Sequence, residues 1–301
     1  MPGANGKTGP VEVGCGGKSA RLALNGLCGL LPDGIQYRCF ALIKMFANFV
    51  ADRRFEDLYS AWDHLAAQEP VTGGGGSFAI THDVDYVQCH KFLPTLLEMD
   101  AELGVRATYN FLTHARYNLS DDVLFTIMDK GHEIGLHGRT HDRALGFRPK
   151  TYIREFVESA KRELERRIGR IHGFRAPALA ISDDVISVLC ELGFKYDSSL
   201  TNCSLCGKFT SNCAPFKICE AGLVEVPLTV QDSMFINDIP SSVDQVGQLI
   251  ERLVELTKAR SGALVVNCHP VIISSHRDHY LRVAELLTRS SLKQSLMRDL
   301  I

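Results

Sequence analysis

From Phe78 to the C-terminus, short apolar runs alternate with amphipathic stretches, and this alternation restricts the fold more than any other feature of the chain. The runs Phe78–Thr81, Ala107–Leu112, Glu133–Leu136, His172–Arg175, Phe194–Tyr196, Leu223–Pro227 and Ala263–Asn267 are too short for helices and read as buried strands. Between them Lys91–Glu102, Asp121–Lys130, Pro149–Arg167, Asp183–Leu192 and Ser242–Arg260 carry helical periodicity. Strand, helix and strand in succession predict parallel strands joined by crossover helices.

One composition break precedes this region, at Gly73-Gly74-Gly75-Gly76, a flexible linker or loop tip. Ahead of it Cys39, Leu42, Ile43, Phe46, Phe49 and Val50, then Phe55, Leu58, Trp62 and Leu65, follow the i, i+3, i+4, i+7 rule of amphipathic helices. Docking on the domain that follows is the simpler reading; a membrane surface or a partner is the alternative. The expected organisation is a disordered Gly-rich segment at 1–18, a helical extension and linker at 19–76, and one α/β domain at 77–301.

Composition excludes more than it identifies. A net charge of -2 argues against the broad basic surface that nucleic acid requires. The start of the chain lacks the order of a secretory signal, and the apolar stretch after it is cut by Asn25, Gly26, Gly29, Pro32 and Asp33, so no transmembrane segment and a cytoplasmic location are expected. The 10 cysteines show no regular framework, which suits a reducing compartment. A homo-oligomer is compatible with all of this.

Two motifs carry the chemistry. In Thr81-His82-Asp83-Val84-Asp85 the period of two along a strand puts both carboxylates on one face, so one can bind a metal while the other handles protons. In Gly131-His132-Glu133-Ile134-Gly135-Leu136-His137-Gly138-Arg139-Thr140-His141 two imidazoles at i and i+4 meet on one side of a helical turn or a strand-to-helix corner. An Asp/His/His set leaves a divalent ion an open position for water, as catalytic sites do. His82 and His132 read as structural hydrogen-bonding residues, and His64, His90, His114, His172, His276 and His279 as core or surface residues. The cluster Cys203, Cys206, Cys213 and Cys219 lacks a second close pair and any His, so free thiols in a loop are favoured over a zinc site or disulfides.

With Phe174-Arg175-Ala176-Pro177, Gly193-Phe194-Lys195-Tyr196-Asp197-Ser198-Ser199 and Leu264-Val265-Val266-Asn267-Cys268-His269-Pro270, these motifs follow the order of the polysaccharide deacetylase family, the sugar N-deacetylases related to the nodulation chitooligosaccharide deacetylase, and the chain resembles that family over roughly its last three quarters. The resemblance implies a distorted (β/α)7 barrel with chemistry at the C-terminal strand ends. It implies a divalent metal, zinc first with nickel, cobalt or iron as substitutes, held by Asp85, His137 and His141. Asp83 would be the general base, Arg175 its orienting cation and His269 the general acid. Asp197 would orient His269, and the oxyanion would face the metal and a backbone N–H near Tyr86. The implied partner is an N-acetylated carbohydrate.

Several positions depart from the family pattern. Val84 separates the two aspartates that the family places side by side, Pro270 follows His269 where an Asp is usual, Pro177-Ala178-Leu179 replaces a tighter turn, and the usual Asp-Trp pair is missing. These changes bear on the substrate rim, so hydrolysis of a cyclic imide or ureide on the same scaffold, and metal-retaining carbohydrate binding without catalysis, are the competing expectations.

Overall fold

The computed structural model describes residues 76–202, 213–238 and 240–301. The N-terminal helical patterns, most of the glycine linker, Cys203 and Cys206 lie outside these residues.

Five parallel strands stand side by side in chain order: β1 (Ser77–Val84), β2 (Ala107–Leu112), β3 (Glu133–Gly138), β4 (Gly173–Phe174) and β5 (Tyr196–Asp197). A short β6 (Phe216–Lys217) runs antiparallel to β7 (Val224–Glu225), which pairs parallel with β5. Next come β8 (Val230–Gln231) and β9 (Ala263–Asn267), which pair in parallel, and β9 returns to β1. β7 and β8 are two pieces of one bent stretch, interrupted at Pro227, which has no N–H to give to a ladder. Along that stretch Leu228 N donates to Leu200 O and Thr229 N to Val265 O, so the chain crosses from the β5 side to the β9 side and the ring closes. Counting this stretch once, the ring has the seven parallel members of a distorted (β/α)7 barrel.

The crossovers are α1 (Val87–Glu102), α2 (Asp121–Asp129), α3 (Lys150–Ile168), α4 (Asp183–Glu191) and α5 (Val243–Arg260). Ser120, Ser182 and Ser242 accept from the backbone N–H three residues on and start α2, α4 and α5; Ser242 and Gln245 complete a capping box. Two helices are absent from the sequence expectation: α6 (Pro270–Ser275), which packs on β1 and α1, and α7 (Arg277–Thr288), which packs on α5 and α6; β10 (Lys293–Gln294) pairs with the start of β1. All eight residues of β1 except Ser77 are buried. Burial on both faces is what a strand inside a barrel demands, and it explains why these runs read as apolar rather than alternating.

The cysteine expectation needs one correction. Cys219 forms a disulfide with Cys190 of α4, tying the loop that carries β6 to the helix layer, so it is not a free thiol. Sequence spacing did not suggest this pair, because the partners are separated by 29 positions and meet only through the fold.

Candidate active site

Along β1, Thr81 and Asp83 face the barrel interior while His82 faces the helix layer, as the strand period requires. Asp85 lies one residue past the strand end. His137 occupies the end of β3, where Gly138, with φ of 105°, turns the chain so that His141 comes back beside it; a Cβ at Gly138 would also meet the Phe156 ring. The histidines therefore belong to a strand end and the turn beyond it.

Asp85, His137 and His141 converge. His137 Nε2 lies 3.1 Å from Asp85 Oδ1 and His141 Nε2 3.6 Å from Asp85 Oδ2, and one ligand atom from each residue falls within 4.8 Å of the others. His137 Nδ1 donates to Arg175 O at 2.8 Å, which leaves the Nε2 lone pair directed at the cluster. Asp85 Oδ1 is buried with no hydrogen-bond partner. An atom stranded in this way costs roughly 1–3 kcal/mol unless something else satisfies it, so the donor set fits a divalent cation. Burial pushes the Asp85 carboxyl up, but the neighbouring His141 and His137 imidazoles outweigh it and hold the group well below the usual carboxylate range; burial pushes His141 down to about 4, so it stays neutral with a lone pair to share.

Asp83 is held from three sides. Asn110 Nδ2 donates to its Oδ1 and Asn267 Nδ2 to its Oδ2, each at 2.8 Å, and Arg175 Nη1 lies 3.4 Å from Oδ1. Burial opposes ionisation, yet Arg175 and then His137 hold the carboxyl below its ordinary value. Gly135 on the neighbouring strand makes room for this arrangement, because a Cβ there would collide with the Asn110 amide. Arg175 itself is 1% exposed and donates to Thr81 Oγ1 at 2.6 Å, Ser198 Oγ at 2.8 Å and Ser198 O at 2.9 Å. Arg175→Met is expected to lower the unfolding free energy by about 3–5 kcal/mol, since it leaves Asp83 buried without its countercharge; denaturant titration checks this.

His269 stands at the end of β9 with Nε2 3.8 Å from Asp85 Oδ2. Its Nδ1 lies 2.6 Å from Asp232 Oδ1, and its backbone N–H donates to Asp232 Oδ2 at 2.5 Å. Burial alone would depress the imidazole, but Asp232 raises it to about 10. The sequence expectation that Asp197 orients His269 is thereby corrected. Asp197 Oδ1 accepts from Ser199 Oγ at 2.7 Å, and Ser199 Oγ accepts from Ala176 N at 2.9 Å. Asp197 thus anchors the turn after Arg175, in which Ala178 and Leu179 adopt left-handed backbone (φ 52° and 57°), a conformation costing roughly 1 kcal/mol or more per residue. Burial raises Asp197 to about 6, against the hydrogen bonds from Ser199 and Glu225 and the charge of Arg175.

Sequence reasoning missed Asp232, Asn110, Asn267 and the two serines. Asp232 did carry a signal: it ends the apolar stretch begun at Leu223, as Asp85 ends β1. Asp232→Asn is expected to move the alkaline limb of any His269-dependent rate to lower pH, because an imidazole without its carboxylate loses its proton sooner; a pH–kcat/KM profile checks this. Tyr86 packs its ring 5.9 Å from that of His141, and its hydroxyl accepts from Arg143 at 2.8 Å. His82 and His132 are structural: His82 bonds Cys268 O, and His132 Nδ1 accepts from Ala107 N at 3.0 Å.

Residues 71–196 match the family described as polysaccharide deacetylase. No curated protein matches the chain. Among solved structures, a Mycobacterium smegmatis protein assigned as a polysaccharide deacetylase is similar at TM-score 0.64 and 20% identity, over 77% of this chain and 92% of that one. Puue allantoinase is similar at TM-score 0.61 and 13% identity, over 78% and 93%. A CE4 family pseudoenzyme from Bacillus anthracis, BA3943, is similar at TM-score 0.52 and 17% identity, over 75% and 65%. At such identities the structural likenesses speak for the fold alone. Over residues 71–196, less than half of the chain, the sequence is similar to the polysaccharide deacetylase family, and the barrel is the fold that these solved structures share.

Proposed function

We propose that the protein is a metal-dependent hydrolase that removes N-acetyl groups from an N-acetylated sugar or polysaccharide. The observation that carries this reading is a carboxylate held ionised and an imidazole held protonated beside one Asp/His/His cluster. Asp85, His137 and His141 would hold the metal. A divalent ion in this donor set, zinc on ligand chemistry with nickel, cobalt or iron as substitutes, supplies polarisation of the acetamide carbonyl and acidification of a water.

The chain's own groups do the rest. Asp83 spends three acceptor positions on Asn110, Asn267 and Arg175, which leaves a lone pair to take a proton from the attacking water. Arg175 keeps that carboxylate charged and aimed. His269, protonated through Asp232, gives its proton to the departing amine nitrogen, without which the C–N bond would have to expel an amide anion. Because His269 Nε2 points at the cluster rather than away from it, catalysis is favoured over silent binding.

The test is acetate release from a panel of N-acetylated sugars and oligosaccharides, set against ring opening of cyclic ureides and imides. Acetate release from the sugars is expected. Ring opening without acetate release would transfer the reading to cyclic amides, and binding of sugars with neither reaction would leave a carbohydrate-binding protein.

A further inference from the structure

His82 and Asp100 take no part in the chemistry above, yet both are fully buried. His82 sits among aromatic rings, with centroids 4.8 Å from Tyr109 and 5.7 Å from Tyr280. Its Nε2 lies 3.5 Å from Asp100 Oδ2, near enough for the carboxylate charge to act on the ring but without a hydrogen bond. Asp100 accepts from the Tyr109 hydroxyl at 2.6 Å on Oδ2 and from the Tyr280 hydroxyl on Oδ1, so both carboxylate oxygens serve as acceptors and the charged form is favoured.

The other ring nitrogen reaches the active site. His82 Nδ1 lies 2.8 Å from Cys268 O, and since a carbonyl has no proton to give, Nδ1 is the donor. That carbonyl belongs to the peptide whose opposite end is the His269 N–H. The N–H in turn donates to Asp232 Oδ2 at 2.5 Å, while Asp232 Oδ1 holds His269 Nδ1 at 2.6 Å. A peptide that accepts at its carbonyl is a stronger donor at its N–H, so the bonds reinforce one another along the series. β9 ends at Asn267, and Cys268 N donates to Thr81 O at 2.9 Å; beyond that bond, His82 and Asp232 grip the peptide from its two sides.

We propose that His82, backed by Asp100, is a positioning residue for His269: it fixes and polarises the 268–269 peptide, which orients Asp232 and through it the imidazole. The inference rests on His269 being the proton donor of the hydrolysis.

His82→Phe keeps the ring among the tyrosines and removes the donor; His82→Asn places an amide N–H near the lost Nδ1. In the metal-loaded enzyme, His82→Phe is expected to lower kcat about tenfold on an N-acetylated oligosaccharide, as loss of outer-shell partners does. KM and metal content should hold, an aryl acetamide with a good leaving group should suffer less, and His82→Asn should recover most of the rate. Independently of turnover, the downfield proton resonance of the His269–Asp232 pair should move upfield in His82→Phe, stay in His82→Asn and shift in the same upfield direction in Asp100→Asn. A wild-type kcat in His82→Phe, or equal losses on both substrates, would overturn the proposal. So would a resonance unmoved in both His82→Phe and Asp100→Asn, the second variant deciding the matter where the first fails to fold. If the wild-type protein hydrolyses no acetamide, it is the proposed function that fails, and the resonance alone then decides the positioning role.

Discussion

Replacing Asp83 by Asn is expected to leave the metal in place and lower kcat by roughly 10² to 10⁴, the range that general acid–base groups supply. The substitution preserves shape but removes the carboxylate in contact with Arg175 among the described residues, and an amide cannot take a proton from water at neutral pH. Arg175 keeps its bonds to Thr81 and Ser198, so the barrel end should hold together. Steady-state kinetics beside metal analysis of the same sample checks this. Asp85→Asn should behave in the opposite way and lose the ion first. An exchange of the two outcomes would reverse ligand and base, a point that matters because Val84 separates two aspartates the family usually keeps adjacent.

The second large effect concerns the ligand pair. The His137→Ala, His141→Ala double variant is expected to bind no stoichiometric metal and to lose activity altogether, because removing two of three protein ligands leaves a single carboxylate. Asp85 Oδ1 would then remain buried without a partner, so a modest loss of stability should accompany the loss of metal. Elemental analysis of the purified variant decides the first part and thermal unfolding the second. Metal content equal to that of the wild type would place the ion elsewhere.

Much of this site could be read from the sequence because its residues sit where a barrel puts chemistry. β1, β3 and β9 are almost wholly buried runs, and Asp85, His137 and His269 stand at or just past their ends, at the same rim. Asp85, His137 and His269 were accessible for that reason. Asp232 was passed over although it ends the apolar stretch begun at Leu223, because β8 is two residues long and follows the break at Pro227, so the strand that delivers it has no periodicity of its own. Asp197 misled for the converse reason: it does end a strand, but β5 is followed by Ser198 and Ser199, whose side chains turn back toward Arg175 and Ala176 and occupy the carboxylate in anchoring that turn. Asn267 was invisible because an amide at a strand end ordinarily reads as a turn residue, and Asn110 because it lies inside β2. Their function arises from the register that sets Asp83 opposite Asn110, which local sequence does not reveal.

The helix layer shows the same division. Ser120, Ser182 and Ser242 cap the starts of α2, α4 and α5, which the periodicity located, whereas α6 follows His269-Pro270 with no side-chain cap, and α7 starts directly behind it at Arg277. Proline at the first helical position was the only signal there.

The measurement that bears most directly on the metal-dependent reading is a titration of metal-stripped protein with zinc while acetate release from an N-acetylated oligosaccharide is followed. Activity should be absent at the start, rise in proportion to bound ion and level off at about one ion per chain, as a site with three protein ligands and one open position requires. Full activity in the stripped protein, or a plateau reached with His137 and His141 both replaced by Ala, would contradict it.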